Sequence, residues 1–566
     1  MRLTLHLLLE PQPQTMQNNK NMNKLEYRKN DISKRLQYLI ENREFSNAIF
    51  LARDFLKDYP NEIFLKKCLA YCYSMVDNLS DSKELWLEII QLDPYSEETL
   101  LNLAEVERKL GRLDSALGLL ELCCNYQPNS FKAWVSMGAI YIHNKNFQEG
   151  INASLEAIKR DPINEDAYQN LGSSFFHLAM FNEAKHAFET ALLLNPNIKE
   201  AQSSLSSVLF KQGKTEDALR ILENLISDSK RNDRVPIEQL RWNAAFPLLR
   251  LGQLDKGWAY YEEGLNPNVM GSLVRRPLRS FDVPRWTPDL PQGNRVLIWR
   301  EQGIGDELIF LTCLRSFINL GFSPIIECDK RLVNILQRSF PGIVVREAKH
   351  RIQYPYDSFY KDFDSHIPMG SLMYYLRQSI DSFPKHYAHL TPDPIKVLKW
   401  RERLEVFGPE KKLIGICWKG GLSDPLRNSK YSNLLHWEQL LNRKDCVFIN
   451  LQYGDCSDEI IQVQEAFGVK IITWNDLDLK NDLEDIFGLL RNLDRVITIS
   501  SAIWTFSASI GTPTSLLLHE PHWTMFNQKN SPFFPDVDCQ VSDAGMNLSQ
   551  LIPNVLSNLT KKNPNI

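Results

Sequence analysis

Large apolar residues and small residues recur together at a fixed period over the first 230 residues of the chain. Every 34 residues a leucine or methionine is followed by a small residue, as in Leu69–Ala70, Leu103–Ala104, Met137–Gly138, Leu171–Gly172 and Leu205–Ser206. A second column of small residues keeps the same period, at Ala48, Ser82, Ala116, Gly150, Ala184 and Ala218. Small residues let two helices cross closely, so the pattern predicts stacked antiparallel helix pairs.

Prolines mark the end of each predicted pair. They keep the same spacing, at Pro60, Pro94, Pro128, Pro162 and Pro196. Proline lacks an amide donor and clashes with the preceding helical turn, so it ends the second helix of a pair. The columns predict about six repeats over residues 29–232. A further helical segment at 233–266 has an aromatic stripe that predicts capping of the array and packing against the next domain, formed by Trp242, Phe246, Trp258 and Tyr261.

The period and its columns resemble the tetratricopeptide family. That resemblance implies an all-α superhelix with a concave groove for a protein or peptide partner. One column of the groove includes Asn102 and Asn170, which are similar to the asparagine ladder that holds substrate backbone in O-GlcNAc transferase. The match is partial, because Lys34 breaks the column in the first repeat. The favoured interpretation is therefore a row of small polar residues at a solvated helix position.

The hydrophobic period changes after a connector at residues 267–293, which is rich in Pro, Gly, Asn and Arg. Short β-type runs then alternate with helical patterns, which is typical of parallel sheets. The first series is RVLIWR, PIIEC and IVVR, and the second is LIGICW, VFINLQ, KIITW, RVITI and SLLL. They predict an α/β domain of two Rossmann-like lobes, at 294–390 and 391–560, with a ligand in the cleft between them.

The first candidate for chemistry is the loop at 303–307, Gly-Ile-Gly-Asp-Glu, directly after the first strand. The sequence EQGIGDELIF resembles the first-lobe loop of the heptosyltransferase-like glycosyltransferases, which have the GT-B fold. That resemblance implies that Asp306 is the base that accepts the proton of the acceptor hydroxyl, with Gly303 and Gly305 contacting the donor. Catalysis by Glu307, or simple capping of the following helix, are the alternatives.

The second lobe resembles the same family at three places, of which CWKGGLSDPLRNSKYS at 417–432 is the first. The resemblance implies that this loop neutralises the leaving diphosphate of a nucleotide-sugar donor. Amides of Gly420 and Gly421 would contribute, together with Lys419, Arg427 or Lys430. For any one of these side chains, a solvated basic loop is an equally good interpretation.

The other two segments that resemble the family lie at 493–513, where three residues differ from those of relatives, and at 519–535, which is a polar loop. In LDRVITISSAIWTFSASIGTP at 493–513, Ser500, Ser501 and Thr505 stand where relatives often have Asp, Thr and His. Hydroxyls and amides at a helix N-terminus still suit a phosphate. In HEPHWTMFNQKNSPFFP at 519–535, Glu520 and His522 are expected to contact the nucleotide ribose or base.

Composition narrows the classes of partner, location and cofactor that remain. The formal net charge of −4 gives no reason to expect nucleic acid as the main partner. No apolar run reaches the length of a membrane span. Ten cysteines without a CxxC pair predict free thiols and a cytoplasmic setting. The DxD at 476–478 precedes a helix and is expected to cap it, so we expect no metal, and no cofactor besides the nucleotide-sugar substrate. Residues 1–28 are interpreted as a disordered leader and 561–566 as a tail.

Two functions are compatible with these sequence features. The first is an inverting, metal-independent glycosyltransferase whose repeats recruit a protein or glycan acceptor. The alternative is a scaffold protein in which the repeats bind a partner and the α/β domain is inactive, because Ser500 and Thr505 replace the acid and the imidazole of relatives.

Overall fold

A computed structural model of the chain describes residues 20–229, 235–271, 274–349, 362–385, 388–421, 424–542 and 548–559. The chain divides into two compact units, Met1–Ile198 and Lys199–Ile566. The first helix begins at Lys20, inside the predicted leader, while residues 1–19 and the predicted tail lie outside the described residues.

The first unit consists of helix pairs. Its ten described helices are α1 Lys20–Glu41, α2 Phe45–Asp58, α3 Ile63–Met75, α4 Leu79–Leu92, α5 Glu97–Lys109, α6 Leu113–Tyr126, α7 Phe131–His143, α8 Phe147–Arg160, α9 Glu165–His177 and α10 Phe181–Leu194. Each second helix ends two residues before a proline of the predicted column, as α4 does before Pro94. The prediction of where the pairs end is confirmed.

Small residues lie where the two helices of a pair meet. Ala48, Ser82, Ala116 and Ala184 are fully buried. The Ser82 hydroxyl donates a hydrogen bond of 2.7 Å to the Ala70 carbonyl, which joins the two small-residue columns directly. A third periodic feature was not predicted from the sequence. The turn inside each pair contains one residue with positive φ, at Arg43, Asp77, Gly111, Lys145 and Ala179.

The second unit begins with four more helices, α11 Lys199–Lys211, α12 Thr215–Ser227, α13 Ile237–Arg250 and α14 Leu254–Tyr261. The predicted aromatic stripe lies on α13 and α14, where Trp242, Trp258 and Tyr261 are buried. The Trp258 indole donates a hydrogen bond of 2.9 Å to the Arg377 carbonyl in the α/β region. The predicted packing role of this segment is therefore confirmed.

The predicted connector at 267–293 is packed against the α/β region rather than free. Trp286 and Arg275 are fully buried within it. Arg275 pairs with Glu301 and Glu262, each at 2.6 Å, and so joins the connector to the end of the first strand and to the residues that follow α14. Two carboxylates compensate the buried guanidinium, which a composition rich in Pro and Gly did not indicate.

Two parallel sheets follow. The first contains β1 Arg295–Trp299, β2 Ser323–Cys328, β3 Val344–Glu347 and β4 Ser365–Pro368, in the order β3-β2-β1-β4. The second contains β5 Lys412–Cys417, β6 Cys446–Asn450, β7 Ile471–Ile472, β8 Arg495–Ile499, β9 Thr514–Leu518 and β10 Asp538–Val541. Their order is β10-β9-β8-β5-β6-β7. Every pairing within the described strands is parallel, as predicted.

Helices connect these strands. They are α15 Ile304–Leu311, α16 Leu314–Asn319, α17 Val333–Ser339, α18 Leu372–Leu376, α19 Pro394–Leu404, α20 Pro425–Asn428, α21 Glu438–Leu441, α22 Ser457–Phe467, α23 Leu483–Leu490, α24 Ala502–Ser509 and α25 Ile552–Leu559. Counted from β5, the strand order of the second sheet is that of a doubly wound fold. In this fold the first three strands are added towards one edge of the sheet, and the fourth strand returns to the other side of the first. The switch point lies between β5 and β8, whose carboxyl ends carry two of the three predicted second-lobe segments.

Candidate functional site

Two strand–turn–helix corners form the centre of the site. The first corner leads from β1 into α15, with Gly303 at the helix N-cap, and the second leads from β8 into α24, with Ser501 at the N-cap. The two corners meet, because a Cβ atom built on Gly305 would lie 3.3 Å from the Thr505 hydroxyl and 3.7 Å from the Ala502 Cα atom. Each lobe therefore presents a helix N-terminus to the same space.

Asp306 is fixed in the first corner by the backbone. Its Oδ2 atom accepts a hydrogen bond of 3.1 Å from the Gly303 amide, so the carboxylate does cap α15. Capping and a catalytic role are compatible, since this bond uses one carboxylate oxygen. Burial, with a smaller contribution from the Glu301 carboxylate, raises the pKa of Asp306 to about 6, against the opposing effect of the Gly303 amide. A carboxylate with this pKa is suited to general-base work near neutral pH.

Glu307 lies in a different environment from its neighbour. Its side chain is 0% exposed and pairs with Arg300 at 2.8 Å. It also accepts a hydrogen bond of 2.9 Å from the Asp329 amide, at the end of β2. Burial raises the pKa of Glu307, although Arg300 opposes the shift. Its buried position speaks against the alternative in which Glu307 is the catalytic base, because the side chain bonds to Arg300 after β1 and to the Asp329 amide after β2.

The second corner contains hydroxyls in place of a carboxylate. Ser500 is exposed. The Ser501 hydroxyl lies 3.1 Å from the Thr498 hydroxyl and 3.5 Å from the Cys417 sulfur, and among the described residues it makes no capping bond to α24. Thr505 is buried and donates a bond of 2.8 Å to the Ala502 carbonyl. The first amides of α24 are thus left without a side-chain acceptor, as an anion site requires.

A cavity of about 850 Å³ lies at the junction of the corners. Ile304 borders it from the first corner and Ala502 from the second. Of the residues predicted to bind the donor, Lys419, Gly420 and Gly421 line it. The lining does not include Asp306 of the first corner, nor the predicted donor residues Gly303, Gly305, Ser500, Ser501 and Thr505. The volume is in the range of small-molecule sites.

Two tyrosines that sequence reasoning missed explain the glycines of the 417–432 loop. A Cβ atom on Gly420 would lie 2.6 Å from the Tyr431 hydroxyl, and one on Gly421 would overlap the Tyr453 ring. Both tyrosines line the cavity. A side chain larger than hydrogen at either position would meet these tyrosines, so the loop backbone lies directly against them.

Cations border the cavity from both lobes. Lys419 pairs with Glu459 at 2.6 Å. Arg331, which was not predicted, comes from the first lobe and donates a bond of 2.7 Å to the Lys480 carbonyl. Its guanidinium also pairs with Asp329 at 2.8 Å. Lys419 and Arg331 are thus partly compensated, and Lys480 lines the same cavity.

Four other predicted donor residues lie outside the cavity lining. Arg427 pairs with Asp424 at 3.4 Å. Glu520 pairs with Arg250 at 3.0 Å and lies 3.6 Å from Lys430. His522 is within 2.7 Å of the Thr524 hydroxyl, and burial lowers its pKa to about 3, so it is neutral. Contact of Glu520 and His522 with a ribose or base is therefore not supported, because internal partners already engage both side chains.

The asparagines of the predicted partner groove are also engaged. The Asn102 amide donates to the Glu98 carbonyl in its own helix, at 2.9 Å. The Asn170 amide donates to the Val135 carbonyl of the preceding pair, also at 2.9 Å. Both side chains are half-buried and their amide nitrogens bond to the array itself, rather than lying at a solvated helix position. The first DxD aspartate, Asp476, pairs with Arg403 at 2.8 Å.

Two of the helix pairs match a known family. A tetratricopeptide-repeat profile matches residues 131–164 and 165–198, which are α7–α8 and α9–α10 with the loops that follow them. These are tetratricopeptide repeats. Two similar solved structures are a tetratricopeptide repeat protein from Parabacteroides merdae and PilF from Pseudomonas aeruginosa. The first is 13% identical with a TM-score of 0.35, covering 41% of this chain and 91% of the other. The second is 18% identical with a TM-score of 0.32, covering 38% and 94%.

One curated relative also matches. Protein FlbA of Caulobacter vibrioides is 33% identical over 321 residues, which are 54% of this chain. The chain spans about half the length of that relative, since the match covers 52% of it. Within the ranges that the structure describes, no helix is both long and apolar enough to cross a membrane. The same ranges contain no group of three or more His, Cys, Asp or Glu side chains suited to a metal ion.

Proposed function

We propose that the second unit is a glycosyltransferase of the GT-B fold that moves a sugar from a nucleotide donor to a hydroxyl acceptor. The observation that carries the proposal is the meeting of the two corners at one cavity. A carboxylate is fixed on one corner, and a helix N-terminus without a side-chain cap lies on the other. An inverting transfer needs a base beside the attacking hydroxyl on one side of the sugar and stabilisation of the leaving group on the other side.

In this mechanism Asp306 accepts the proton of the acceptor hydroxyl as the oxygen attacks the anomeric carbon. Oδ1 would be the accepting oxygen, since Oδ2 is bonded to Gly303. The glycosidic bond to the diphosphate or phosphate breaks on the opposite face, so the configuration is inverted. The leaving group takes the bonding electrons, and the amides of α24 and of Gly420 and Gly421 stabilise its charge.

Side chains supply the rest of the charge balance. Lys419 and Arg331 border the cavity and would neutralise phosphate oxygens in place of a metal ion. Tyr431 and Tyr453 hold the glycine loop against the cavity and offer aromatic surface to the nucleoside. The tetratricopeptide repeats would recruit the acceptor protein or glycan, because arrays of this kind bind protein partners.

The test is a panel of nucleotide sugars. The purified full chain is incubated with ADP-, UDP-, GDP- and CMP-sugars, and nucleotide release is measured together with binding by calorimetry. We expect binding and slow release with one nucleotide class. Absence of both across the whole panel would overturn the proposal.

A scaffold is the second candidate, and one observation favours it. The second corner has neither the acid nor the imidazole of many relatives, and Thr505, at the imidazole position, is buried against its own helix. In that case the repeats alone would carry the function. Copurification of a partner with the full chain, unaffected by substitutions in the cavity, would support the scaffold over the transferase.

A further inference from the structure

A cluster of charged side chains lies outside the cavity lining. Lys211 ends α11, Arg250 ends α13, Lys430 follows α20 and Glu520 follows β9. Arg250 Nη2 lies 3.0 Å from Glu520 Oε2, whereas the Lys211 and Lys430 ammonium nitrogens lie 3.7 Å and 3.6 Å from Glu520 Oε1. Three positive side chains therefore share one carboxylate.

Several donors of the cluster remain available to a ligand. A distance of 3.6 to 3.7 Å is too long for a hydrogen bond, so neither lysine is hydrogen-bonded to Glu520. Arg250 Nε is buried and has no hydrogen-bond partner among the residues that the structure describes. Arg250 is nevertheless held in place, because its guanidinium lies 3.8 Å from the centre of the Phe210 ring and Nη1 donates 3.1 Å to the Phe210 carbonyl.

Exposure shows where a ligand would enter. The side chain of Arg250 is 8% exposed, that of Glu520 17%, that of Lys211 25% and that of Lys430 45%. The cluster thus opens to solvent at Lys430, the neighbour in sequence of the cavity residue Tyr431. Arg250 lies at its closed end.

The excess of positive charge has a measurable consequence. Burial, and then the Lys430 ammonium, lower the pKa of Lys211 to about 8. The neighbouring His522 does not add to the charge, because burial lowers its pKa to about 3. A network that served only to hold two segments together would balance its charges, since uncompensated charge in a partly buried place is costly.

We propose that Lys211, Arg250 and Lys430 form a binding site for a phosphoryl group, in which Glu520 acts as an internal counter-ion that the ligand displaces. A phosphoryl group has up to two negative charges at neutral pH and three acceptor oxygens, which suits an excess of two cations with available donors. The inference goes beyond the proposed transferase and does not depend on it. Two helices that continue the repeat array would thereby contribute to ligand binding in the second unit.

The phosphoryl group has two possible sources, a nucleotide or a phosphorylated acceptor. The test begins with inorganic phosphate, titrated calorimetrically into the full chain at constant ionic strength. Lys211→Met and Lys430→Met are each expected to weaken binding about tenfold, and Glu520→Gln to tighten it about tenfold, because one competing charge is removed. Repeating the titration in saturating ADP, UDP, GDP and CMP distinguishes the sources, since competition indicates a nucleotide and its absence an acceptor.

The matched control is Lys256→Met. This lysine also belongs to the second unit and pairs with one carboxylate, that of Glu223, at 2.5 Å. Its loss should leave phosphate affinity within about twofold. Equal weakening by the control, or no tightening by Glu520→Gln, would overturn the proposal in favour of a purely structural ion network.

A pH series adds a second readout. Phosphate affinity should fall as the pH rises through about 8, because Lys211, which faces Arg250, Lys430 and Glu520, loses its proton there. Lys211→Arg should keep the affinity up to pH 9, since a guanidinium does not titrate in this range. An identical pH dependence in the two proteins would contradict the role of Lys211.

Discussion

In the first lobe the turn after β1 leads through Gly303 into α15, and in the second lobe the turn after β8 leads through Ser501 into α24. The backbone plan is the same, and each helix has eight residues. The first helix has its own anion, because Asp306 accepts the Gly303 amide. The second has no such cap among the described residues, since the Ser501 hydroxyl lies against Thr498 instead. One local fold thus places a carboxylate at one corner and a helix N-terminus without a side-chain cap at the other.

The largest expected effect comes from neutralising the first corner. Asp306→Asn preserves the size of the side chain and an oxygen that accepts the Gly303 amide, so folding should be retained. Loss of the base should lower turnover about 10²- to 10⁴-fold, while nucleotide affinity stays within about twofold. Nucleotide release and calorimetry on the same preparations measure the two quantities.

The outcome also separates the transferase from the scaffold. A transferase loses turnover and keeps nucleotide binding, whereas a scaffold shows no turnover to lose and the same partner binding in both proteins. Equal losses of nucleotide binding and turnover would contradict the assignment of Asp306 to the acceptor side.

A smaller effect should follow from giving the second corner a carboxylate. Ser501→Asp places an anion at the N-terminus of α24, where it competes with a phosphate for the same amides. We expect nucleotide affinity to fall about tenfold, while stability rises by about 0.5–1 kcal/mol because Asp caps well. Calorimetry and chemical denaturation measure the two changes.

Ser501→Asn is the matched control for that substitution. Asparagine caps nearly as well as aspartate and has the same shape, but it has no charge. Its nucleotide affinity should stay within about threefold of the unsubstituted protein. If Asn and Asp weaken binding equally, the loss is steric and the corner is not an electrostatic anion site.

The pH dependence of the first corner follows from its raised pKa. Burial raises the pKa of Asp306 to about 6, and a general base acts only when it is deprotonated. The specificity constant kcat/KM should therefore rise about tenfold per pH unit below pH 6 and level off above it. A profile that is flat down to pH 4.5 would contradict this environment for Asp306.

The difference between what sequence predicts here and what it misses has physical causes. Buried central strands such as β1, β5 and β8 are continuous apolar runs bounded by turns, so they could be identified from the sequence. The edge strands β4 (SHIP) and β10 (DCQV) are short and partly polar, and they were missed. The 34-residue period of small residues and prolines likewise located the helix pairs, because each pair is built from contacts between residues close in sequence.

Side-chain partners could not be predicted in the same way. Glu520 follows a strand and is polar, which suggested a nucleotide contact, but its partner Arg250 lies 270 residues earlier in the chain. The tyrosines that require glycine at 420 and 421 are likewise brought there only by tertiary packing. Sequence spacing thus located the loops of the site, and the fold decided which of their side chains are accessible.

The smallest expected effect tests whether the two corners touch. Gly305→Ala alone should change stability by less than about 1 kcal/mol, because better helix propensity is offset by a Cβ atom only 3.3 Å from the Thr505 hydroxyl. In a Thr505→Ala background that contact is removed, and the same substitution should stabilise by up to about 1 kcal/mol. The double-mutant cycle should therefore give a coupling of about 0.5–1 kcal/mol by chemical denaturation. Additivity within about 0.3 kcal/mol would mean that the corners do not meet in solution, and a mechanism that needs base and anion site at one cavity would then fail.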